Sequence, residues 1–71
     1  MEIDALGLLC PLPVLRLRKR LEPLAAGTEV VLIADDPAAI VDVPHFCAEA
    51  GHEFLMSETD GMPLRFTIRK A

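Results

Sequence analysis

The sequence predicts a two-layer α/β sandwich with element order β-α-β-α-β-β and two helices on one face of a mixed four-stranded sheet. Three features predict it. Two apolar stripes recur at helical spacing, Val14/Leu17/Leu21/Leu24 and Ile40/Val43/Cys47/Ala50, each at i, i+3, i+7, i+10. A β-branched run, Val30-Val31-Leu32-Ile33, lies between them. The chain closes on an alternation in which Leu64, Phe66 and Ile68 interleave with Arg65, Thr67 and Arg69. With 71 residues the chain has room for one domain, residues 1–71, without repeat or linker.

The elements follow in order. Met1 to Ala5 alternates, Ile3 and Ala5 apolar against Glu2 and Asp4, and reads as a strand; Gly7 to Cys10 is a loop. Pro11 suits the first helical position, where its missing N–H has no partner to lose, which puts Cys10 at the N-cap. Pro23 loosens this helix near Glu22, and Gly27 closes the connection to an inner strand over Thr28 to Ala34. Asp35-Asp36-Pro37 signals a turn or helix start. Pro44 breaks a continuous helix, so the expectation is a turn over Ala38 to Val41 and then a helix capped by Asp42 and ended by Gly51. Glu53 to Thr59 alternates weakly around Phe54 and Met56, and Asp60-Gly61 is a hairpin signal leading into the last strand.

Composition excludes several classes. The longest uncharged stretch, Ala5 to Leu15, is 11 residues with one Gly and two Pro, against the ~20 apolar residues of a membrane span. Glu2 and Asp4 stand where a secretory leader needs a basic region, so the expected compartment is the cytoplasm. Two cysteines are no disulfide framework. Net charge is −4, yet Arg16, Arg18, Lys19 and Arg20 fall within five residues, leaving −8 on the remainder. An acidic chain with one basic stripe, and no aromatic inside it, argues against direct nucleic-acid binding.

The chemistry concentrates in Gly7-Leu8-Leu9-Cys10-Pro11-Leu12-Pro13. The positive end of a helix dipole favours a thiolate there, although two prolines remove donors and leave the Leu12 N–H as the nearest cap for the sulfur. Pro11 and Pro13 fix their own φ and hold the thiol in one presentation. Pro13 occupies the position of the resolving cysteine in Cys-x-x-Cys, which excludes that dithiol chemistry. A lone exposed thiolate suits carriage of a group such as a sulfane sulfur, passed on by thiol exchange.

The pattern Asp4-x-x-Gly7-x-x-Cys10-Pro11-x-Pro13 resembles the signature of the TusA/SirA-like sulfur-carrier family. Asp35-Asp36-Pro37, Asp42-Val43-Pro44-His45-Phe46-Cys47, Gly51-His52-Glu53 and Glu58-Thr59-Asp60-Gly61 extend the likeness over the whole chain. The resemblance implies a fold similar to the C-terminal domain of translation initiation factor three. It also implies a persulfide on Cys10, loaded by a cysteine desulfurase or a rhodanese-like donor. Downstream sulfur-acceptor proteins would then serve tRNA thiolation, sulfur oxidation or molybdenum-cofactor assembly. The tRNA relay often carries a basic residue before the cysteine and an acidic one between the prolines. Here those positions are Leu9 and Leu12.

The other candidates divide between structural and functional readings. Cys47 on an apolar stripe reads as a core filler. His45 and His52 form no zinc-type spacing with the cysteines, so no metal and no organic cofactor is expected. Asp35 and Asp36 read as turn and helix-start residues. Arg16, Lys19 and Arg20 share one helix face: either a solvated surface or, with Leu9 and Leu12 (and Leu8) around the thiol, a partner-docking surface. Gly7, Pro11 and Pro13 position the motif. The alternatives to a sulfur carrier are a regulatory or structural interaction module, in which Cys10 only caps a helix, and a redox protein pairing Cys10 with Cys47.

Overall fold

The computed structural model describes all residues, Met1–Ala71. Its elements are β1 (Glu2–Ala5), α1 (Leu12–Leu21), β2 (Glu29–Ala34), α2 (Ala39–Ala50), β3 (Glu53–Glu58) and β4 (Leu64–Arg69). The sheet order is β1-β2-β4-β3. β1 and β2 run parallel, with Ala5 opposite Ala34, and β4 is antiparallel to both β2 and β3. The mixed four-stranded sandwich and its element order are those expected from the sequence.

Alternation decides which side of the sheet is core. Val30, Leu32 and Ala34 of β2 and Leu64, Phe66 and Ile68 of β4 are buried on one face, beneath Leu17 and Leu21 of α1 and Val43 and Cys47 of α2. The opposite face carries the charges: Arg69 bridges Glu29 at 2.9 Å and Glu53 at 3.1 Å, and Arg65 pairs with Glu2 at 3.3 Å. Such exposed pairs are worth little each, but they leave no doubt which face meets water.

Four local expectations are corrected. α1 begins at Leu12 with Pro11 as its N-cap, so Cys10 stands one residue outside the cap. α2 is one helix with Pro44 inside it, not a turn followed by a helix capped by Asp42. Its first turn is tightened by the N–H groups of Ala39, Ile40 and Val41, each donating to a carbonyl three residues back. Only the Ile40 carbonyl loses a donor to Pro44, and Ile40 is exposed, so solvent can replace that bond. Ile40 and Ala50 accordingly lie off the buried stripe, which instead runs Ala39, Val43, Cys47 with Phe46 packed beside it.

A bulge between Phe54 and Met56 explains the weak alternation of β3. Phe54 pairs with Ile68 and packs on the core, whereas Met56 pairs with Thr67 and is exposed. The β3–β4 hairpin forms, but through residues 59–63 and with Gly61 outside the left-handed region, so it is not the two-residue turn that Asp60-Gly61 signals.

Candidate functional site

The parallel pairing of β1 and β2 builds the site. Because the two strands end side by side, the loop after β1, which holds Cys10, lies against the loop after β2, which holds Asp35 and Asp36. Carboxyl ends of parallel strands are a recurrent place for sites in α/β sheets. Here the two loops are stitched together by side chains.

Gly7 has φ +76°, a backbone conformation that strains any residue with a Cβ, and its N–H donates to both Asp35 carboxylate oxygens at 3.1 Å. The Cys10 N–H donates to Asp36 Oδ2 at 2.7 Å, while Asp36 Oδ1 accepts the Ala38 N–H at 3.0 Å. These two backbone donors, Ala38 first, hold the Asp36 carboxyl below its ordinary pKa. Asp36 therefore does serve the start of α2, as the sequence suggests, and in addition fixes the backbone of the exposed cysteine.

The thiol itself has a partner the sequence reading missed. Cys10 Sγ donates to Asp42 Oδ2 at 2.7 Å. Asp42 lies in α2 with its carboxylate turned to the neighbouring loop. The Leu12 N–H, expected near the sulfur, donates instead to the Leu9 carbonyl at 2.8 Å. The expected lowering of the thiol pKa by the helix terminus is thus overturned: the hydrogen bond to Asp42, followed by desolvation and the Asp42 and Asp36 charges, pushes the Cys10 pKa up. The contact favours the protonated thiol.

Cys10 lines a groove of about 610 Å³ together with Pro11, Val14 and Arg18 from the α1 side and Asp42, His45 and Phe46 from α2. The Cys10–Pro11 peptide bond is cis. Pro13 is buried in the first turn of α1. Cys47 is only 1% exposed, and burial raises its pKa to about 11. It faces the core.

The comparisons with known proteins decide the family. The sequence profile described as "Sulfurtransferase TusA" matches residues 1–70. The chain belongs to the TusA family. A crystal structure of a SirA-like protein from Desulfitobacterium hafniense superposes with a TM-score of 0.76 at 34% identity, over 96% of this chain and 93% of that one. A sulfur-carrier or sulfurtransferase role in a relay with other proteins comes with that membership.

Around this TusA-family site the residues expected to dock partners divide. Leu9 is 70% and Leu12 48% exposed, flanking the thiol, whereas Leu8 packs on the core. Lys19 and Arg20 are exposed in the last turn of α1, where cations also complement the helix dipole. Arg16 is tied down, donating to the Asp4 carbonyl at 2.8 Å. Arg18, not selected from the sequence as a docking residue, lines the groove, as does Lys70. No group of three His, Cys, Asp or Glu side chains is placed to hold a metal. His52 accepts the Ala71 N–H on Nδ1 at 3.0 Å, and its ring lies 5.6 Å from that of Phe46. No helix is long and apolar enough to cross a membrane.

The sequence reads Asp42 as a helix cap, whereas it lies within α2 and meets the Cys10 thiol. The signal that finds it is topological: strands β1 and β2 in parallel bring the start of α2 beside the cysteine loop.

Proposed function

We propose that Cys10 carries a sulfane sulfur as a persulfide, receives it from a cysteine desulfurase or rhodanese-like donor, and hands it to an acceptor protein. The observation that carries this reading is the contrast in access: one exposed thiol on a loop pinned by two aspartates, in the lining of a groove, with the second thiol sealed in the core. In loading, Cys10 sulfur bonds to the outer sulfur of the donor persulfide and the donor S–S bond breaks. Its electron pair leaves with the donor sulfur, which takes up the proton given up by Cys10. The exchange is redox-neutral and needs no cofactor on the carrier.

Gly7, Pro11 and Pro13 shape the loop that presents the thiol. Leu9 and Leu12 supply apolar contact beside it, and Lys19 and Arg20 steer an acidic partner surface towards that end of α1. Arg16 contributes to the same positive face while bracing α1 on β1. Intact-mass measurement after incubation with a cysteine desulfurase and cysteine tests the proposal: one added sulfur, mapped to Cys10 and removable by reductant, supports it. Loss of two hydrogens would instead indicate a Cys10–Cys47 disulfide, and an unchanged mass an interaction module.

A further inference from the structure

Asp42 is half-buried in the groove wall and has no cation paired with it. None of the ion pairs of the molecule includes it: His45 pairs with Glu49 at exposed positions of α2 along the same groove, and Arg65, Arg69, Glu2, Glu29 and Glu53 pair on the open sheet face. Its hydrogen-bond partner is the Cys10 thiol, and it makes that bond as an acceptor. A carboxylate in this place opposes what a sulfur carrier must do, since the thiolate is the attacking species and Asp42 favours the protonated form. Arg18 lines the same groove without closing on the carboxylate. The arrangement makes sense if the missing cation comes from outside.

We propose that Asp42 is a proton latch on the empty carrier, keeping the Cys10 proton on sulfur until a cationic side chain of the docked sulfur donor pairs with the Asp42 carboxylate in the groove between α1 and α2. This inference rests on sulfur carriage by Cys10 and adds a condition to it. Undocked, the carrier is a poor nucleophile and is spared adventitious alkylation and oxidation. Docked, the cation draws the carboxylate away from the thiol and offsets its charge. The proton then leaves Cys10 as its sulfur attacks the outer sulfur of the donor persulfide, and it ends on the departing donor thiolate. No oxidant or reductant enters.

The other charged groups near the latch are Asp36 from the β2–α2 loop, His45 and Glu49 from α2, Arg18 and Glu22 from the α1 side, and His52 and Lys70 from the segments flanking β3 and β4. Asp36 acts on the thiol in the same direction as Asp42 but through space, because its hydrogen bond goes to the Cys10 backbone. An Asp36→Asn change therefore serves as the comparison for a neighbouring charge without the thiol contact.

The test has two arms. In the first, the rate of Cys10 alkylation by iodoacetamide is followed against pH, with peptide mapping, for wild type, Asp42→Asn and Asp36→Asn. Asp42→Asn should move the midpoint down by about one unit or more, and so accelerate labelling at neutral pH by about tenfold. Asp36→Asn should move it less, and Asp42→Glu should keep it high. If the amide disturbs α2, seen by circular dichroism, Asp42→Ser must give the same downward shift. An unmoved midpoint in a folded variant overturns the latch, whichever sulfur chemistry Cys10 performs.

In the second arm, loading is timed from a small uncharged alkyl persulfide and from a cysteine desulfurase supplied with cysteine. Asp42→Asn should speed the small donor by about the same tenfold and gain little or nothing with the protein donor, which already opens the latch. Equal acceleration with both donors overturns opening by a partner cation. Failure of Cys10 to gain sulfur from either donor would instead overturn sulfur carriage, and the alkylation profile separates the two cases.

Discussion

The two cysteines, one in a loop and one in a helix of the same small domain, are held in opposite states of access. Cys10 lies in the exposed loop between β1 and α1, with its backbone and its sulfur on separate aspartates. Cys47 is 1% exposed within α2 and touches the core alone. Both thiols have raised pKa values, but the causes differ: at Cys10 a removable contact with Asp42 leads, at Cys47 desolvation by the core. A neighbouring carboxylate can be neutralised on docking. Burial can be undone only by opening the fold. The comparison therefore supports the proposal that Cys10 carries the reversible chemistry, without any appeal to a low resting pKa.

The largest expected effect is on labelling selectivity. Alkylation of the native protein should favour Cys10 over Cys47 by about two orders of magnitude or more, because Cys47 reacts only from opened states. Peptide mapping after timed quenching reads the ratio; comparable rates at the two positions would dissolve the contrast. In sulfur loading, Cys10→Ser should abolish the signal while Cys47→Ala leaves it intact.

Next in size is the anchoring of the loop. Asp36→Ala removes the acceptor of both the Cys10 and the Ala38 N–H groups, so transfer should slow by about tenfold through loss of positioning, more than Cys10 alkylation changes. The depressed Asp36 pKa gives this contact a pH signature. Its stabilisation is complete above the ordinary carboxylate range and is lost as pH falls through the lowered value, so acid denaturation of Asp36→Ala should lack that component.

Cys47→Ala should cost about 1 kcal/mol through a small cavity, read by urea unfolding. The wild-type protein should also lose stability as pH rises from the ordinary thiol value of 9.0 through about 11, because the unfolded thiol ionises first. Cys47→Ala should flatten that alkaline slope. A slope unchanged by the substitution would mean that Cys47 is not the group responsible.

The smallest effects belong to the basic face. Reversing Lys19 and Arg20 to Glu should slow transfer at low salt by a few-fold and converge on wild type as salt rises, since steering is screened within ~8 Å at physiological ionic strength. Leu9→Glu should hurt at every salt concentration. Transfer kinetics across a salt series distinguishes the two; a charge-reversed variant as fast as wild type at low salt reduces Lys19 and Arg20 to solvated dipole partners.

Periodicity made the layers legible, and chain contacts account for what it hid. The stripe around Leu17, the β-branched run of β2 and the alternation of β4 bury the residues at their centres, whereas the stripe around Val43 buries Val43 and Cys47 but leaves Ile40 and Ala50 exposed. Pro44 misled because proline signals a break only when the lost bond is unaffordable, and here the orphaned carbonyl belongs to exposed Ile40. The bulge at Leu55 leaves no local signature beyond a faltering alternation. Cys10 was legible from the two prolines that follow it, Asp36 only as a turn and helix-start residue. Asp42 could not be read from spacing, because its contact with Cys10 spans 32 positions and exists only once β1 and β2 pair in parallel.

Mass spectrometry of the intact protein after incubation with a cysteine desulfurase and cysteine tests sulfur carriage most directly. The expected result is a gain of one sulfur atom that maps to Cys10, disappears on reduction and is absent in Cys10→Ser. A persulfide found on Cys47, or a Cys10→Ser variant loaded like wild type, would contradict it.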